Sequence, residues 1–348
     1  MNDSEQNKKQ CRIIVDAMGG DFAPLNVVLG AVQAVSEING IELFLVGKAE
    51  EIKKVLSEKN IFFNERNIIH SDQVIEMGDN PTTALKLKPG SSLVKGAESV
   101  RDGKAEAFIS AGNTGAMMAA STLIMGRIPG VGRPTIGAEM PNVNGTCYLY
   151  DVGAGKDAKP QHLFEYAVMG TIYAREIGGI KNPSVGILSM GEEEGKGSET
   201  SEAALKLLKR SKLNFIGNVE GRDILTGKVD IVVCDGFVGN IILKFGEAVP
   251  SLLKHLLSET ANKSFFDKVK IGLTRGTLRK ALKVMDYQEH GGVPLLGVKG
   301  ISIIGHGSSS PKAIRNMILK AKIMYDKNLL GKIENSIKQY AEKPEGNR

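Results

Sequence analysis

Short runs of Ile, Val and Leu recur along the chain, each followed by a glycine-containing loop and then by a helical segment. The pattern occurs in CRIIVDAMGGDFAP (11–24), EAFISAGNTGAMM (106–118), CYLYDVGAGKDAKP (147–160), VGILSMGEEEGKG (185–197), DIVVCDGFVGN (230–240) and GISIIGHGSSSPKA (300–313). Strands that are apolar over their whole length are typical of parallel sheets buried on both faces. Their alternation with helices predicts an α/β protein with a doubly wound, largely parallel sheet between two helical layers, a three-layer Rossmann-like fold.

The loops that follow the strands of such a sheet gather at one edge, where ligands bind. We therefore expect the six loops to surround one crevice. Helices that begin there offer unpaired backbone N–H groups and a partial positive charge, which suit an anion such as phosphate. Amphipathic segments at 26–38, 163–177 and 201–210 predict covering helices.

The segment 245–285 has a different pattern and predicts a hairpin of two helices that mixes apolar and basic residues. Its candidate contact residues are Leu252, Leu253, Phe265, Phe266, Arg275, Arg279 and Lys280. One interpretation is a helix pair packed on the domain or on a dimer partner. The other is an interfacial membrane element, or a docking face for an acidic carrier protein.

Length and composition indicate a globular protein. With 348 residues and 42% apolar content, the chain can bury a large core, and we expect a single catalytic domain over 11–330 with flexible tails at 1–10 and 340–348. The polar N-terminus lacks the apolar run of a signal peptide. Cys11, Cys147 and Cys234 show no C-x-x-C spacing, so a reducing cytoplasm is the expected location.

The net charge of +6 is local. Residues 251–285 hold eight Lys or Arg against Glu259 and Asp267, which accounts for the whole excess. A basic patch of this kind is expected to face an acidic partner.

Several familiar kinds of site are not indicated. The chain has no complete G-x-G-x-x-G, no H-E-x-x-H and no G-x-S-x-G, so neither a dinucleotide cofactor, a metal nor a serine nucleophile is expected. Lys196 follows glycines as in a P-loop, but Gly191 and Gly195 are spaced by three residues, and Gly197 replaces the metal-binding hydroxyl. From this segment alone, a surface turn with a solvated lysine is an equal alternative.

The loops after the strands carry acids, amides, glycines and one lysine. The candidate site residues are Asp16, Gly19, Gly20, Asp21, Gly112, Asn113, Thr114, Gly115, Lys196, Asp235, Gly239, Asn240 and His306. Such a set can hold an anion and an oxyanion while an external nucleophile attacks. Asp16 is expected to organise its loop rather than to act as a catalyst.

The motifs IIVDAMGGDFAP, ISAGNTGAMM, GRIPGVGRP, DVGAGKDAKPQHL, GEEEGKGSE, FIGNVEGRDI, DGFVGNIILK and GHGSSS occur in this order over nearly the whole chain. Together they resemble the phosphate acyltransferase family usually called PlsX. The resemblance implies transfer of a fatty acyl group from acyl-[acyl carrier protein] to inorganic phosphate, giving acyl phosphate for phospholipid synthesis. It also implies a fold related to phosphotransacetylases and isopropylmalate-type dehydrogenases, a homodimer, and peripheral contact with the anionic cytoplasmic membrane through the hairpin, near the next acyltransferase of that synthesis.

The resemblance suggests roles for the candidate residues. Lys196 is expected to hold the phosphate nucleophile or the developing oxyanion, and Asn240 to donate a hydrogen bond to the same centre. The Gly19–Asp21 and Gly112–Gly115 turns are expected to offer N–H groups to phosphate or to the pantetheine arm. Glu192, Glu193 and Glu194 are expected to form a rim that keeps the lysine charged and oriented.

Four positions depart from the family pattern. Members commonly have His where this chain has Phe22, and Asn where it has Gly155, Ser189 and Ser198. Two alternative functions remain open: a phosphotransacetylase-like enzyme that uses acyl-CoA, and a non-catalytic membrane scaffold for lipid synthesis.

Overall fold

The computed structural model describes residues 10–285, 289 and 291–341. The strands are β1 (Cys11–Asp16), β2 (Ile41–Gly47), β3 (Ile68–His70), β4 (Ala107–Ser110), β5 (Thr135–Asn142), β6 (Gly145–Tyr150), β7 (Ser184–Leu188), β8 (Asn214–Val219), β9 (Ile231–Val233), β10 (Val293–Leu296) and β11 (Ile301–Ile304). The helices are α1 (Leu25–Glu37), α2 (Ala49–Glu58), α3 (Pro81–Leu87), α4 (Ser92–Arg101), α5 (Thr114–Ala120), α6 (Pro160–Glu176), α7 (Glu199–Lys209), α8 (Asp223–Thr226), α9 (Gly236–Lys263), α10 (Phe265–Leu282), α11 (Pro311–Asp326) and α12 (Leu329–Ala341). Residues 1–9 and 342–348 of the predicted tails at 1–10 and 340–348, and the Arg279 side chain, lie outside the described residues.

The strands form one eleven-stranded, mainly parallel sheet with the order β3-β2-β1-β4-β11-β10-β5-β6-β9-β7-β8. Helices cover both of its faces, so the predicted α/β class with a parallel-dominated sheet is confirmed. The cover on one face includes α1, α6, α7 and α11, and the cover on the other includes α4 and α5.

The two halves of the sheet run in opposite directions. β10 is antiparallel to both β11 and β5, and β5 is antiparallel to β6. Across the centre of the sheet, Leu295 of β10 pairs with Ser302 of β11 on one side and with Ile136 of β5 on the other. Next to them, Tyr150 of β6 pairs with Gly137 of β5. The carboxyl ends of β11 and β6 therefore lie at nearly the same height along the strands. Because these two strands run in opposite directions, the loops that follow them lead away in opposite directions.

The prediction that all six loops gather at one edge of the sheet is therefore wrong. Only strands of one direction share a carboxyl edge, and the antiparallel strands in the centre separate two such sets. The first loop cluster comprises residues 17–24, 111–113 and 305–310, which follow β1, β4 and β11. The second loop cluster comprises residues 151–159, 189–198 and 234–235, which follow β6, β7 and β9.

The core contains several large side chains that are fully buried. Tyr150 on β6 is 0% exposed, and its ring packs where Gly137 and Gly170 leave room, since a Cβ at Gly170 would lie 2.8 Å from the ring. Burial of a large apolar side chain contributes about 1.5–3 kcal/mol, and the Tyr150 hydroxyl, buried with no hydrogen-bond partner among the described residues, offsets part of that gain. The central strands are therefore a rigid base for both loop clusters.

The helical hairpin consists of α9 and α10, which are joined at Ser264. α9 begins at Gly236, earlier than the predicted 245, because the Asp235 side chain accepts the Val238 N–H at 2.9 Å and caps the helix directly after β9. Beyond Pro250 the hairpin is largely exposed. By length and composition alone, α9 could also cross a membrane.

The C-terminal part of the chain continues beyond the predicted domain boundary at 330. α12 extends to Ala341, and the ring of Tyr340 contacts that of Phe164 edge-on, with a centroid distance of 5.3 Å. The prediction that a flexible tail begins at 340 is therefore wrong for Tyr340, since this side chain packs against the core.

Candidate active site

The first loop cluster is organised around the buried carboxylate of Asp16. Ser110 Oγ donates to Asp16 Oδ2 at 2.8 Å and accepts the Gly112 N–H at 3.1 Å. The Met18 N–H donates to Asp16 Oδ1 at 3.1 Å. Burial raises the pKa of the Asp16 carboxyl, and hydrogen bonds from Ser92, Ser110 and Met18 oppose that rise. This geometry agrees with the expected loop-organising role.

The glycines of this cluster allow two loops to approach closely. A Cβ at Gly19 would lie 2.7 Å from the Gly112 nitrogen, so only glycine fits there. Gly20 has a φ of +113°, a conformation that favours glycine. Asp21 is exposed, and its N–H donates to the Gly307 carbonyl at 2.8 Å. The loops after β1, β4 and β11 are thus brought together.

Asn113 holds a neighbouring loop in place. Its Oδ1 accepts the Ala116 N–H at the start of α5, and its Nδ2 donates to the carbonyls of Glu76, Met77 and Asp79 at 3.0–3.1 Å. The side-chain amide is therefore already engaged by the protein. Thr114 is exposed beside it, and a Cβ at Gly115 would lie 2.6 Å from Pro81.

His306 completes the first loop cluster. It is exposed, and its Nδ1 lies 2.8 Å from Ser308 Oγ and accepts the Ser308 N–H at 3.2 Å. The ring is therefore oriented by its own loop.

The second loop cluster is built on Asp151, which is 0% exposed. Its Oδ1 accepts N–H groups of Ile136, Gly153 and Ala154, and its Oδ2 accepts the Gly155 N–H at 2.9 Å. Burial raises the pKa of this carboxyl, while the backbone donors lower it. Asp151 thus fixes the loop after β6.

The first turn of α9 packs directly on that loop. The Gly236 N–H donates to the Gly155 carbonyl at 3.0 Å, and a Cβ at Gly236 would lie 2.6 Å from Asp151 Oδ2. A Cβ at Gly239 would fall well inside van der Waals contact with the Asp151 carbonyl oxygen. Asn240 follows, exposed and near Gly153. The two glycines therefore determine where Asn240 stands.

Lys196 lies in the loop after β7, the strand that pairs with β9. The N–H groups of Gly195 and Gly197 both donate to Glu202 Oε1, at 3.1 and 3.0 Å. The backbone is thereby fixed on both sides of Lys196, whose side chain is exposed. The sequence reasoning missed Glu202, although an acid in the first turn of a helix after a glycine loop is a usable signal.

The prediction that three glutamates form a rim that keeps Lys196 charged and oriented is wrong for two of them, Glu192 and Glu194. Glu192 forms an ion pair with Lys228 at 2.6 Å, and Glu194 pairs with Lys209. Both lysines come from other elements, and they neutralise the carboxylates that were expected to orient Lys196.

The four departures from the family pattern have different surroundings. The Arg133 side chain occupies the space that a Cβ at Gly155 would need. Ser198 accepts the Ser201 N–H and caps α7, a role that Asn also performs. Ser189 Oγ is buried without a hydrogen-bond partner among the described residues. Phe22 is 56% exposed.

The two loop clusters meet at a cavity of about 600 Å³. The cavity is lined by Thr114 and His306 on the side of the first loop cluster and by Asn240 on the side of the second. Lys196 does not line it. Lys196 and Asn240 follow the neighbouring parallel strands β7 and β9, so these two residues share an edge of the sheet. Asp16, Gly19, Gly20 and Asp21 lie in the first loop cluster, apart from Lys196. Among the described residues, no group of three His, Cys, Asp or Glu side chains could hold a metal ion.

Comparison with solved structures defines the fold class. A phosphotransacetylase from Streptococcus pyogenes superposes with a TM-score of 0.59 at 17% identity, covering 92% of this chain and 94% of that one. The EutD phosphotransacetylase from Staphylococcus aureus gives a TM-score of 0.57 at 15% identity, with 90% and 94% covered. The fold is therefore of the phosphotransacetylase type.

Comparison of sequences identifies the family. A family model described as fatty acid synthesis protein matches residues 11–332. The phosphate acyltransferase of Halothermothrix orenii is 44% identical over 333 residues, covering 95% of this chain and 100% of that protein. The phosphate acyltransferase of Pelotomaculum thermopropionicum is 45% identical over 335 residues, with 96% and 97% covered. The chain belongs to this family and is an acyltransferase, so the scaffold alternative is set aside.

Proposed function

We propose that this enzyme transfers a fatty acyl group from acyl-[acyl carrier protein] to inorganic phosphate. A phosphate oxygen attacks the thioester carbonyl carbon, and a tetrahedral intermediate with a negative oxygen forms. The C–S bond then breaks, the pantetheine sulfur leaves as a thiolate that takes up the proton lost by the hydrogen phosphate group, and acyl phosphate is released. The names of the relatives support phosphate as the acceptor.

The observation that carries this proposal is the position of Lys196. An exposed ammonium on a loop that Glu202 fixes from both sides is suited to hold phosphate as a point charge. Holding the nucleophile against the thioester replaces a bimolecular encounter with an oriented one. We assign to Lys196 the phosphate or the oxyanion that develops on attack.

Asn240 is the second residue of this assignment. It lies in the second turn of the 28-residue helix α9, whose amino end carries a partial positive charge. A side-chain amide there can donate to the tetrahedral oxyanion. The turns at Gly19–Asp21 and Gly112–Gly115 lie at the first loop cluster and the start of α5. The N–H groups of Gly112 and Asp21 already bind Ser110 and Gly307, so we assign the other N–H groups of these turns to the pantetheine arm or to phosphate.

The donor distinguishes the proposal from its closest alternative, an enzyme that uses acyl-CoA, which the phosphotransacetylase-type fold favours. We expect phosphate-dependent thiol release from palmitoyl-[acyl carrier protein] at a kcat/KM at least about tenfold above that for palmitoyl-CoA, because the basic hairpin can attract an acidic carrier. A side-by-side thiol-release assay measures this ratio. Equal or greater efficiency with palmitoyl-CoA would replace the proposed donor.

We propose that the hairpin docks on anionic partners. Four basic residues are exposed on it, namely Lys263, Lys268, Lys270 and Arg275, and each basic residue near an anionic membrane contributes about 1 kcal/mol.

Apolar side chains are exposed on the same hairpin. Leu252 and Leu253 are 57% and 39% exposed on α9. Phe265 and Phe266 are about three-quarters exposed at the hairpin tip. We assign the aromatic tip to the membrane surface and the basic residues Arg275, Arg279 and Lys280 to the carrier.

Replacing Phe265 and Phe266 with Ser is expected to lower flotation with phosphatidylglycerol vesicles by at least about tenfold, because burial of a Phe side chain at an interface contributes about 1.5–3 kcal/mol. The matched control is Phe62→Ser, since Phe62 is 94% exposed outside the hairpin. Flotation unchanged by the double substitution would exclude the tip as the membrane contact.

We further propose a homodimer that works in the cytoplasm, peripherally bound to the inner face of the cell membrane and close to the next acyltransferase of phospholipid synthesis. The exposed apolar residues Phe237 and Val238 of α9, which do not line the cavity, support a protein contact, since they are 61% and 37% exposed.

A further inference from the structure

The cavity between the two loop clusters is predominantly apolar. Its lining side chains include Ile136, Ala138 and Met140 of β5, Ile224 and Leu225 at α8, Ile241, Ile242, Phe245 and Val249 of α9, and Val284 and Met285 after α10. At about 600 Å³ it has the size of a ligand site. The phosphate chemistry described above uses none of these apolar side chains.

Two contacts of α9 show that the helix passes along β5, with the cavity between them. Asn240 stands near Gly153, just after the end of β6, where Tyr150 pairs with Gly137 near the start of β5. A Cβ at Gly246 would lie 2.9 Å from Met140 Cε, near the end of β5. Ile136 and Met140 are four residues apart on one strand, so this floor spans about 13 Å at 3.3 Å per residue.

The charged side chains that line the cavity occur in pairs. Lys320 Nζ lies 2.9 Å from Glu139 Oε1, which also accepts the Tyr173 hydroxyl at 3.1 Å. Lys244 and Glu247 pair at 2.8 Å. The cavity therefore offers an apolar channel whose charges compensate each other, with the amide of Asn240 at one end.

We propose that this cavity holds the acyl chain, with the reacting carbonyl at Asn240 and a long chain running on between Met140 and Gly246 toward Val249. The inference rests on the proposed function, since it takes Asn240 as the oxyanion donor. An apolar chain in this channel is removed from water, and the alternating side chains of β5 form its floor. Met140 and Gly246 then set the chain length that the enzyme accepts.

Gly246→Leu adds a side chain where a long acyl chain must pass between α9 and Met140, and it is compatible with helix α9. One methylene in an apolar enzyme pocket changes discrimination by about 10- to 200-fold. In Gly246→Leu, we expect the ratio of kcat/KM for palmitoyl donors to kcat/KM for octanoyl donors to fall at least about tenfold. In Met140→Ala, we expect the ratio of kcat/KM for stearoyl donors to kcat/KM for palmitoyl donors to rise. Gly78→Leu is the control, because Gly78 lies in open space outside the cavity.

A second measurement locates the chain directly. Palmitic acid with a diazirine near its methyl end is irradiated with the full-length protein, and the labelled peptides are mapped by mass spectrometry. We expect labels on residues 138–142 and 245–249. Labels confined to α10, or to residues near Asn240 and Val152, would overturn the placement or its direction, as would an unchanged chain-length ratio in Gly246→Leu with the wild-type labelling pattern.

The two proposals fail separately. Labelling of the cavity without phosphate-dependent thiol release would keep the acyl site and reject the proposed reaction. Normal thiol release with an unchanged chain-length ratio and labels elsewhere would keep the reaction and reject the acyl site. If a second copy of the chain fills the cavity, the fatty acid is excluded from it and crosslinks are found to neighbouring protein instead. This outcome also overturns the proposal.

Discussion

Replacing Lys196 with Ala is expected to lower kcat/KM for phosphate-dependent thiol release by about 100- to 1,000-fold. This range corresponds to about 2.7–4 kcal/mol, the usual loss when one donor to a developing charge is removed. The side chain is exposed on a fixed loop and is not part of the core, so the stability of the fold should not change. Release of carrier thiol from palmitoyl-[acyl carrier protein], with and without phosphate, measures the effect.

Two further variants separate a specific loss from a general loss of positive charge. Lys212→Ala removes an exposed lysine in the segment after α7 and should leave turnover near that of the wild type. Lys196→Arg keeps the charge with a different shape, so partial activity is expected. Thermal unfolding verifies that each variant is folded. Near-normal turnover of a folded Lys196→Ala protein would reject the assigned role while leaving the acyltransferase class intact.

The layers of the fold could be predicted from the sequence because they depend on local periodicity. The helix predicted at 26–38 is observed at Leu25–Glu37, and the helix predicted at 201–210 at Glu199–Lys209. Apolar runs followed by glycine loops gave β1, β4, β6, β7, β9 and β11. In each case a few neighbouring residues carry the signal.

The direction of the strands could not be predicted in the same way. β10 is a four-residue strand, and nothing in its sequence distinguishes a parallel from an antiparallel partner. Its position between β11 and β5 reverses the sheet and places Asp16 and Lys196 in different loop clusters. Strand order depends on pairing between distant segments, which periodicity does not encode.

The surroundings of the candidate residues were predicted less well for a related reason. The three glutamates next to Lys196 in sequence suggested local pairing, but Lys228 and Lys209 reach two of them from other elements. The apolar cavity was missed because β5 and α9 form it together and lie about a hundred residues apart. Asn113 was expected to serve the ligand, yet its amide binds three backbone carbonyls of another loop.

Gly239→Ala is expected to destabilise the protein by about 1–3 kcal/mol and to reduce turnover strongly. The new methyl group would overlap the Asp151 carbonyl oxygen, to which Cys234 Sγ donates at 3.5 Å. Relief requires the first turn of α9 to move away from the loop after β6, and overpacking of this kind has the stated energetic effect. Because Asn240 is the next residue, the displacement also moves the proposed oxyanion donor.

Denaturant unfolding followed by circular dichroism measures the change in stability, and the thiol-release assay measures the change in turnover. Gly78→Ala is the matched control: Gly78 has open space around its Cβ position, so its stability should stay within about 0.5 kcal/mol of the wild type. A Gly239→Ala protein with wild-type stability and turnover would show that α9 does not need to approach Asp151 this closely. The position of Asn240 would then have to depend on the rest of the helix, and the contact between α9 and β5 would become the feature that orients it.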